Sequence, residues 1–449
     1  DRGANLATLG AILLFGMTVT ELRHTPAPPT GTPGEYEIVV RERLSEREGK
    51  TASGTTIRAR RNSATGEWLP AAGNLVVRCD SSTALNPGDR AVVRGKIYPF
   101  TARHGGYGRL MTRRGYVGTL YLNRSSLLLS DTLHRELSPK HLSLFLHERA
   151  VARLDRLALA PDEQALCNAM TAGDRRSLSP ALRAAYSRSG TSHLLAVSGL
   201  HVGIVFLLAN LLLWWLPLFR HGHILRNIAV ILLIWLYAAT TGFPPSVVRA
   251  ALMFSVLQFA LASSSEYVGM NTLAGVAFVM LLFHPDYLFD ISFQLSFIAV
   301  AGIIAWGLPL CRLLRTRRKS IDMLTATLAI GFSASAATAP LISHTFGQIS
   351  VVGLALNPVV ILLSYVVVGS CTLWLVIPGT VLAPLFSDVA GFAARAQNEL
   401  IRAAAALPAA ALDIRLTTTQ CWIVYGLFIF ATLLLWSAER KKSVSSLPE

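Results

Sequence analysis

Charge is scarce in this chain. Of its 449 residues only 15% are Asp, Glu, Lys or Arg, against 52% hydrophobic, and mean hydropathy is +0.46. That balance excludes an ordinary soluble domain and points to long segments in a bilayer. Acidic charge is the scarcer kind: 26 Asp and Glu stand against 41 Lys and Arg, a formal net charge of +15. The basic loops of a membrane protein account for part of the excess, and the rest suggests an anionic partner, lipid head groups or nucleic acid. Cysteine is sparse and scattered (Cys79, Cys167, Cys311, Cys371, Cys421), with no CxxC and no metal-like spacing, so neither a zinc ribbon nor a disulfide framework is indicated. All but Cys79 lie in or beside apolar runs and read as small core residues. No Walker-type GxxxxGK[ST], HExxH, GxSxG or HxHxDH pattern occurs. No cofactor or metal is expected.

What is present divides along the chain. The first residue is Asp1, not Met, so the sequence reads as a piece of a longer chain. Leu6 to Val19 then reads as the end of a membrane helix (1–20), without the basic start of a signal peptide. A linker, 21–34, carries the Pro/Gly/Thr-rich stretch "RHTPAPPTGTPG". Over 35–130, "YEIVVRERL", "GTTIRARR", "NLVVRCD", "DRAVVRGKIYPF" and "RGYVGTLYL" alternate apolar and polar residues between turn signals. Roughly five short strands suit a small antiparallel barrel. The region is basic, and Tyr98, Phe100, Tyr107 and Tyr116 lie among Arg94, Lys96, Arg103, Arg109, Arg113 and Arg114. Basic strands with interleaved aromatics suit single-stranded nucleic acid; the plain alternative is a solvated strand face with core aromatics. Residues 139–190 have helical period with Arg149, Arg153 and Arg156 opposite the apolar side, and are predicted to lie on the membrane surface.

From 191 to 437 the apolar runs lengthen. Candidate spans are Ser192–Leu216, Ile224–Thr241, Val247–Ala262, Val268–Phe283, Leu288–Leu310, Leu324–Ile342, Val351–Ile377 and Thr419–Trp436, several near the ~20 residues a bilayer needs. Ala383 to Leu407 carries Asp388, Arg395, Gln397, Asn398, Glu399 and Arg402 among alanines and reads as an interfacial helix. The basic loops "CRLLRTRRKS" and "FRHGHILR" fall on the same side when the spans are counted. The positive-inside rule makes that side cytoplasmic and puts the barrel outside. The basic tail, 438–449, carries "ERKKS", which argues for the inside, whereas the count puts it outside.

The stretch "TSHLLAVSGLHVG" opens this region with two histidines and two serines. Read as one helix at about 100° per residue, His193, Ser198 and His201 share an arc while Gly199 and Gly203 occupy another face. Small residues permit close helix packing, and polar groups at membrane depth face a bundle interior or wet cavity. The alternative for Ser192 and His193 is simple capping at the interface. Arg249 follows "FPPSV", Gln294 lies in "FDISFQLSF" and Asn357 precedes Pro358. An Arg near a helix end snorkels to the interface or offers charge to a phosphate. Pro-interrupted helices are tolerated where freed backbone lines a cavity.

These segments resemble the ComEC-type competence proteins, inner-membrane DNA-uptake channels of natural transformation. "HLLAVSGLHVGIV", "PPSVVRAALM", "HPDYLFDISFQLSFIAVAGI" and "APLISHTFGQISVVGLALNPVV" follow that family's motifs in order, and "LNPGDRAVVRGKI" and "GYVGTLYL" resemble its N-terminal OB-like domain. The resemblance implies a polytopic α-helical membrane protein with an N-terminal OB-like β-barrel domain, placed in the bacterial inner membrane with the barrel outside. It would pass single-stranded DNA inward, aided by a DNA-receptor protein outside and an ATP-driven translocase inside. Many members carry a C-terminal metallo-β-lactamase-like domain; without HxHxDH that domain is expected to be absent from this sequence, which is read as non-enzymatic. Within this frame Arg94, Lys96, Tyr98, Tyr107, Arg109, Arg113 and Arg114 are the expected DNA contacts. His193, Ser198, His201, Arg249, Gln294 and Asn357 are the expected channel lining, and Gly199 and Gly203 the expected packing positions. An intramembrane hydrolase using His193, Ser198 and His201, or a transporter of a small anion or lipid precursor, remain the alternatives.

Overall fold

A computed structural model describes residues 30–47, 50–62, 65–80, 83, 85, 88–100, 108, 111–112, 115–131, 139–263, 269–316, 318–350, 352–377, 381–407 and 410–445. The expected helix over 1–20, most of the linker, Tyr107, Arg109, Arg113, Arg114 and the last four residues lie outside them. The chain forms two compact units, Asp1–Leu146 with Met280–Phe289, and His147–Val279 with Asp290–Glu449.

The first unit contains a closed barrel of β1 (Pro33–Arg47), β2 (Lys50–Arg61), β3 (Trp68–Asp80), β4 (Arg90–Pro99) and β5 (Tyr116–Leu122). The strands follow each other round the barrel as β1-β2-β3-β5-β4, and β1 pairs with β4 to close it. β3 runs parallel to β5 and the other pairs are antiparallel, the connectivity of an OB-like barrel. Closure depends on β1. Its 15 residues pair with β4 over Pro33–Val39 and with β2 over Tyr36–Arg47, and register shifts after Glu37, Val40 and Arg43 bend it from one partner to the other. A sixth strand, β6 (Leu127–Asp131), extends the sheet beyond β4. Alternation turns Tyr36, Ile38, Ile57, Leu75, Val77, Val93, Ile97, Leu120 and Leu122 into one buried core. Gly118 is needed at the β4–β5 contact, because a Cβ there would meet the Tyr98 carbonyl at 2.4 Å.

The second unit is helical. Its elements begin with α1 (Pro139–Leu154, which straddles the unit boundary), α2 (Pro161–Thr171), α3 (Pro180–Arg188), α4 (Gly199–Leu212), α5 (Gly222–Thr240) and α6 (Pro245–Ser263). After α7 (Gly269–Phe283), which also crosses the boundary, come α8 (Ile291–Leu313, with a π segment at Ile303–Gly307) and α9 (Lys319–Phe346). α10 (Val352–Val376), α11 (Ala383–Ala406) and α12 (Thr418–Ser445) complete the series. Among the described residues, helices at Gly199–Leu218, Gly222–Thr240, Ile291–Leu313, Ile321–Phe346 and Ala355–Val376 are long and apolar enough to cross a membrane. Pro245–Leu261, Gly269–Phe283 and Thr418–Thr432 are apolar but shorter. Each expected span has one of these helices in its place. The chain is a multi-pass membrane protein.

Their exposed faces carry Leu207, Leu211, Trp214, Leu232, Phe259, Phe278, Leu362 and Phe430, a surface suited to lipid. Small residues set the packing. A Cβ on Gly302 of α8 would lie 2.5 Å from Ala337 and 3.0 Å from the Ser333 carbonyl on α9. Pro340 and Pro358 lie inside α9 and α10, and Gly347 ends α9 in the left-handed conformation at φ 72°.

Two surface assignments differ from expectation. α2 is buried from Ala165 to Thr171, and α11 buries Phe386, Ala390, Ala393, Ala394, Gln397, Asn398 and Ile401. Together with α3 and α10 they form one core around Leu166, Met170, Tyr186 and Trp374. The polar residues that made α11 read as interfacial are internally paired. Tyr186 donates to Asn398 Oδ1 at 3.1 Å, and Gln397 Nε2 donates to Tyr186 Oη at 3.2 Å. Arg153, assigned to the outer side of α1, donates from Nε to the Trp374 carbonyl at 2.9 Å, so its charge meets the C-terminal end of α10.

Candidate functional site

Two surfaces hold the candidate residues. On the barrel, side chains alternate in and out along β4, so Ala91, Val93 and Ile97 are buried while Arg94, Lys96 and Tyr98 are exposed. Tyr98 packs edge-on against Tyr121 of β5, ring centroids 5.8 Å apart, and Lys96 Nζ lies 5.6 Å from the Tyr98 ring centre. Both rings are about half exposed, at 48% and 54%. They offer stacking faces to solvent beside a cation. Tyr121 was not singled out from the sequence, although the alternation in "YVGTLYL" puts it outward while Leu120 and Leu122 point in.

Arg94 is not a free phosphate contact. Its Nε donates to Glu35 Oε1 at 3.0 Å, and Arg61 Nη1 donates to Glu35 Oε2 at 3.0 Å. Those hydrogen bonds, Arg94 first and Arg61 second, hold the Glu35 carboxyl below the usual carboxylate range. One carboxylate therefore tempers two of the barrel's cations. Phe100 and Tyr116, with Ala52, Val76 and Met111, build a small apolar cluster of their own.

In the helical unit the opening stretch is not one helix. Ser192–Leu195 forms a 3-10 turn, Ala196 is extended, and α4 starts only at Gly199 with Ser198 as its N-cap. The angular relation expected between His193 and His201 therefore does not hold. Serine is a preferred N-cap because its side chain competes with helical backbone bonding. Here the cap is completed by His201: the Ser198 backbone N–H donates to His201 Nδ1 at 3.0 Å, and Ser198 Oγ lies 3.0 Å from the same nitrogen. His193 is exposed, whereas His201 is fully buried. The structure joins Ser198 to His201.

Gly199 and Gly203 both face α6. A Cβ on Gly199 would come within 3.0 Å of Arg249 Nη2, and one on Gly203 within 3.4 Å of the Phe254 ring. Phe254 in turn stacks on Phe206 at 4.8 Å. Arg249 is buried at 6% exposure. Its Nε donates to Ser296 Oγ on α8 at 2.7 Å, its Nη1 lies 3.5 Å from Met253 Sδ, and its guanidinium sits 5.8 Å from the Phe297 ring centre. Thus α4, α6 and α8 meet at Gly199, Arg249 and Ser296. Gln294, two residues before Ser296 on α8 and so on another face of the helix, is partly buried. Asn357 lies elsewhere, on α10, where its buried Oδ1 has no hydrogen-bond partner. Among the described residues no group of three or more His, Cys, Asp or Glu is placed to hold a metal ion.

The sequence model of the family described as "Competence protein" matches residues 170–441. ComE operon protein 3 of Bacillus subtilis is 32% identical over 204 residues, 44% of this chain and 24% of that protein. An uncharacterized protein of Aquifex aeolicus is 29% identical over 201 residues, 44% of this chain and 45% of that one. The match thus spans between a quarter and a half of the length of these relatives. No solved structure matches the chain.

Proposed function

Because the chain belongs to the competence protein family, we propose that it takes part in DNA uptake as a membrane conduit, passing single-stranded DNA inward without chemistry of its own. The observation that carries this reading is the convergence of hydrophilic groups at membrane depth. Ser198, His201, Arg249 and Ser296 stand on three helices whose outer faces are apolar. Such groups are costly toward hydrocarbon and are retained where they meet one another or a wet passage. The barrel supplies a second element, the Tyr98–Tyr121 pair with Lys96, which suits base stacking with weak charge contact. Weak contacts suit a strand that must move on. The bacterial inner membrane, the barrel on its outer side, a receptor outside and an ATP-driven translocase inside complete the proposal, since the sequence carries no Walker motif.

The test replaces Ser198 and His201 together with Leu in a naturally transformable host lacking its own copy. DNA entry should fall at least about tenfold, equivalent to ~1.4 kcal/mol, with membrane insertion unchanged. Normal transformation frequency with the double variant would refute the conduit. A transporter of a small anion or lipid precursor would leave transformation untouched by the same change.

A further inference from the structure

The turn between α8 and α9 carries charge that the chain itself does not compensate. Arg312 lies in the last turn of α8, Arg315 follows just past it, and Arg318 and Lys319 open α9 as its N-cap and first residue. All four are exposed, and none has an ion pair among the described residues. Asp322 is the one carboxylate in the sequence between Asp290 and Asp388, and backbone engages it. Its Oδ1 accepts from the Thr316 N–H at 3.0 Å, and its own N–H donates to the Arg318 carbonyl at 2.9 Å. Asp322 thus closes the turn and leaves the cations unneutralised. Arg318 and Lys319 also stand at the partly positive end of a helix, where cations are unfavourable without a counterion.

A general preference for cations in membrane-protein loops does not account for this arrangement. In the other basic turn, "FRHGHILR", Arg226 points inward and its Nη2 donates to Asn210 Oδ1 at 2.9 Å. No described cation of the α8–α9 turn has a side-chain partner of that kind. Apolar side chains flank the charge on both helices instead. Leu313 is 80% exposed and Met323 72%. Both helices are long and apolar enough to cross the membrane, so the turn that joins them lies at a bilayer surface. It is only five residues long, 314–318, and is tied back by Asp322. The cations therefore stay at head-group depth. Cations interleaved with exposed Leu and Met match a surface that offers both phosphate and hydrocarbon. A nucleic-acid strand offers the phosphate alone.

We propose that the α8–α9 turn docks on anionic phospholipid head groups, with Arg312, Arg315, Arg318 and Lys319 on the lipid phosphates and Leu313 and Met323 in the acyl layer. The lipid supplies the countercharge that Asp322 does not. It also fastens one end of the helix pair that packs through Gly302 and Ala337. The surface rests on the membrane placement of the chain and not on the conduit.

The experiment uses the full chain in nanodiscs of phosphatidylcholine with a rising fraction of phosphatidylglycerol, and follows thermal unfolding. The midpoint should rise with the anionic lipid, and the rise should shrink at high salt, which screens exposed charge. Changing Arg312, Arg315, Arg318 and Lys319 together to Gln should remove at least about half of the rise, since each cation near an anionic surface contributes comparably. A second comparison holds the change in charge constant and serves equally where the fourfold variant does not fold. Arg318→Gln with Lys319→Gln should lower the rise more than Arg183→Gln with Arg188→Gln, two exposed cations of α3. No rise with phosphatidylglycerol, an undiminished rise in the fourfold variant, or equal losses in the two pairs overturns the docking surface. Oligothymidylate is also added in phosphatidylcholine alone. Protection there that disappears in the fourfold variant would assign the turn to nucleic acid and overturn the lipid surface as well. Transformation is not read in this experiment, so its failure leaves the conduit standing, and a normally transforming Ser198 and His201 double variant leaves the lipid surface standing.

Discussion

The barrel and the helical unit place their polar groups in opposite ways. In the barrel the core cluster is apolar, from Tyr36 and Ile38 to Leu120 and Leu122, and most charges ride outside, where Glu35 ties Arg61 to Arg94, although Asp89 is buried. In the helical unit the outer faces are Leu, Phe and Trp, while Arg249, His201, Ser333, Ser364, Gln397 and Asn398 are buried. The contrast reports the solvent each unit is built for. Water rewards burial of apolar area, so the barrel's core holds it together. Lipid gives no such reward between helices, and close packing with internal hydrogen bonds takes over. That is why glycines press against neighbours at Gly302 and Gly199, and why the buried hydroxyls of Ser333 and Ser364 bond to carbonyls one turn back, Ser333 to Ala329 at 2.8 Å.

The sharpest way to break the contrast is to widen a helix contact. Gly302→Val would drive a branched side chain into Ala337 and the Ser333 carbonyl. Overpacking of this kind costs about 1–3 kcal/mol, and thermal unfolding in nanodiscs should show it as a lower midpoint. An unchanged midpoint would mean that α8 and α9 are not held by close approach. The barrel should respond differently. Tyr98→Ala with Tyr121→Ala removes two exposed rings and leaves the core intact, so folding should persist while single-stranded DNA binding weakens. Base–aromatic stacking contributes about 1–3 kcal/mol per base, readable by fluorescence anisotropy with the full chain; native affinity in the double variant would move the DNA contact off this face.

The smallest expected effect concerns Glu35. Glu35→Gln releases Arg61 and Arg94 from their shared carboxylate. Single-strand binding should tighten at low salt, with a slope in log salt steeper by about 1.4 if both arginines then reach phosphates at about 0.7 per contact. The native carboxyl is depressed by these partners. Its contribution to stability is therefore present above the ordinary pKa of an unfolded glutamate and fades as pH falls through the lower folded value. The stability difference between native chain and Glu35→Gln should shrink on acidification through that range. A difference that grows toward low pH would contradict the pairing.

Much of this contrast was legible before the structure. Alternation in "DRAVVRGKIYPF" turned Val93 and Ile97 inward and Arg94, Lys96 and Tyr98 outward, because a strand's period is two. Runs of hydropathy located the spans, because lipid tolerates little else over that length. What stayed hidden depended on partners distant in sequence. Glu35 meets Arg94 only because β1 crosses to β4, 59 residues on. Gln397 and Asn398 looked like surface residues because their partner Tyr186 lies more than 200 residues away. The start of α4 was misplaced for a local reason. "SHLLAVS" is largely apolar, and only the Ser198 cap, three residues before His201, marks the break.

The π segment at Ile303–Gly307 has a bearing on all of these contacts. A π turn houses one surplus residue within an otherwise regular helix, so the stretch bearing Ser296 and the stretch from Leu308 to Leu313 keep their facings although the chain between them is one position too long. Were that surplus absorbed into ordinary helix, one end would swivel by about 100° against the other. The direction in which Ser296 presents its hydroxyl to Arg249 is thus stored, like the setting of a dial, in a single extra amino acid.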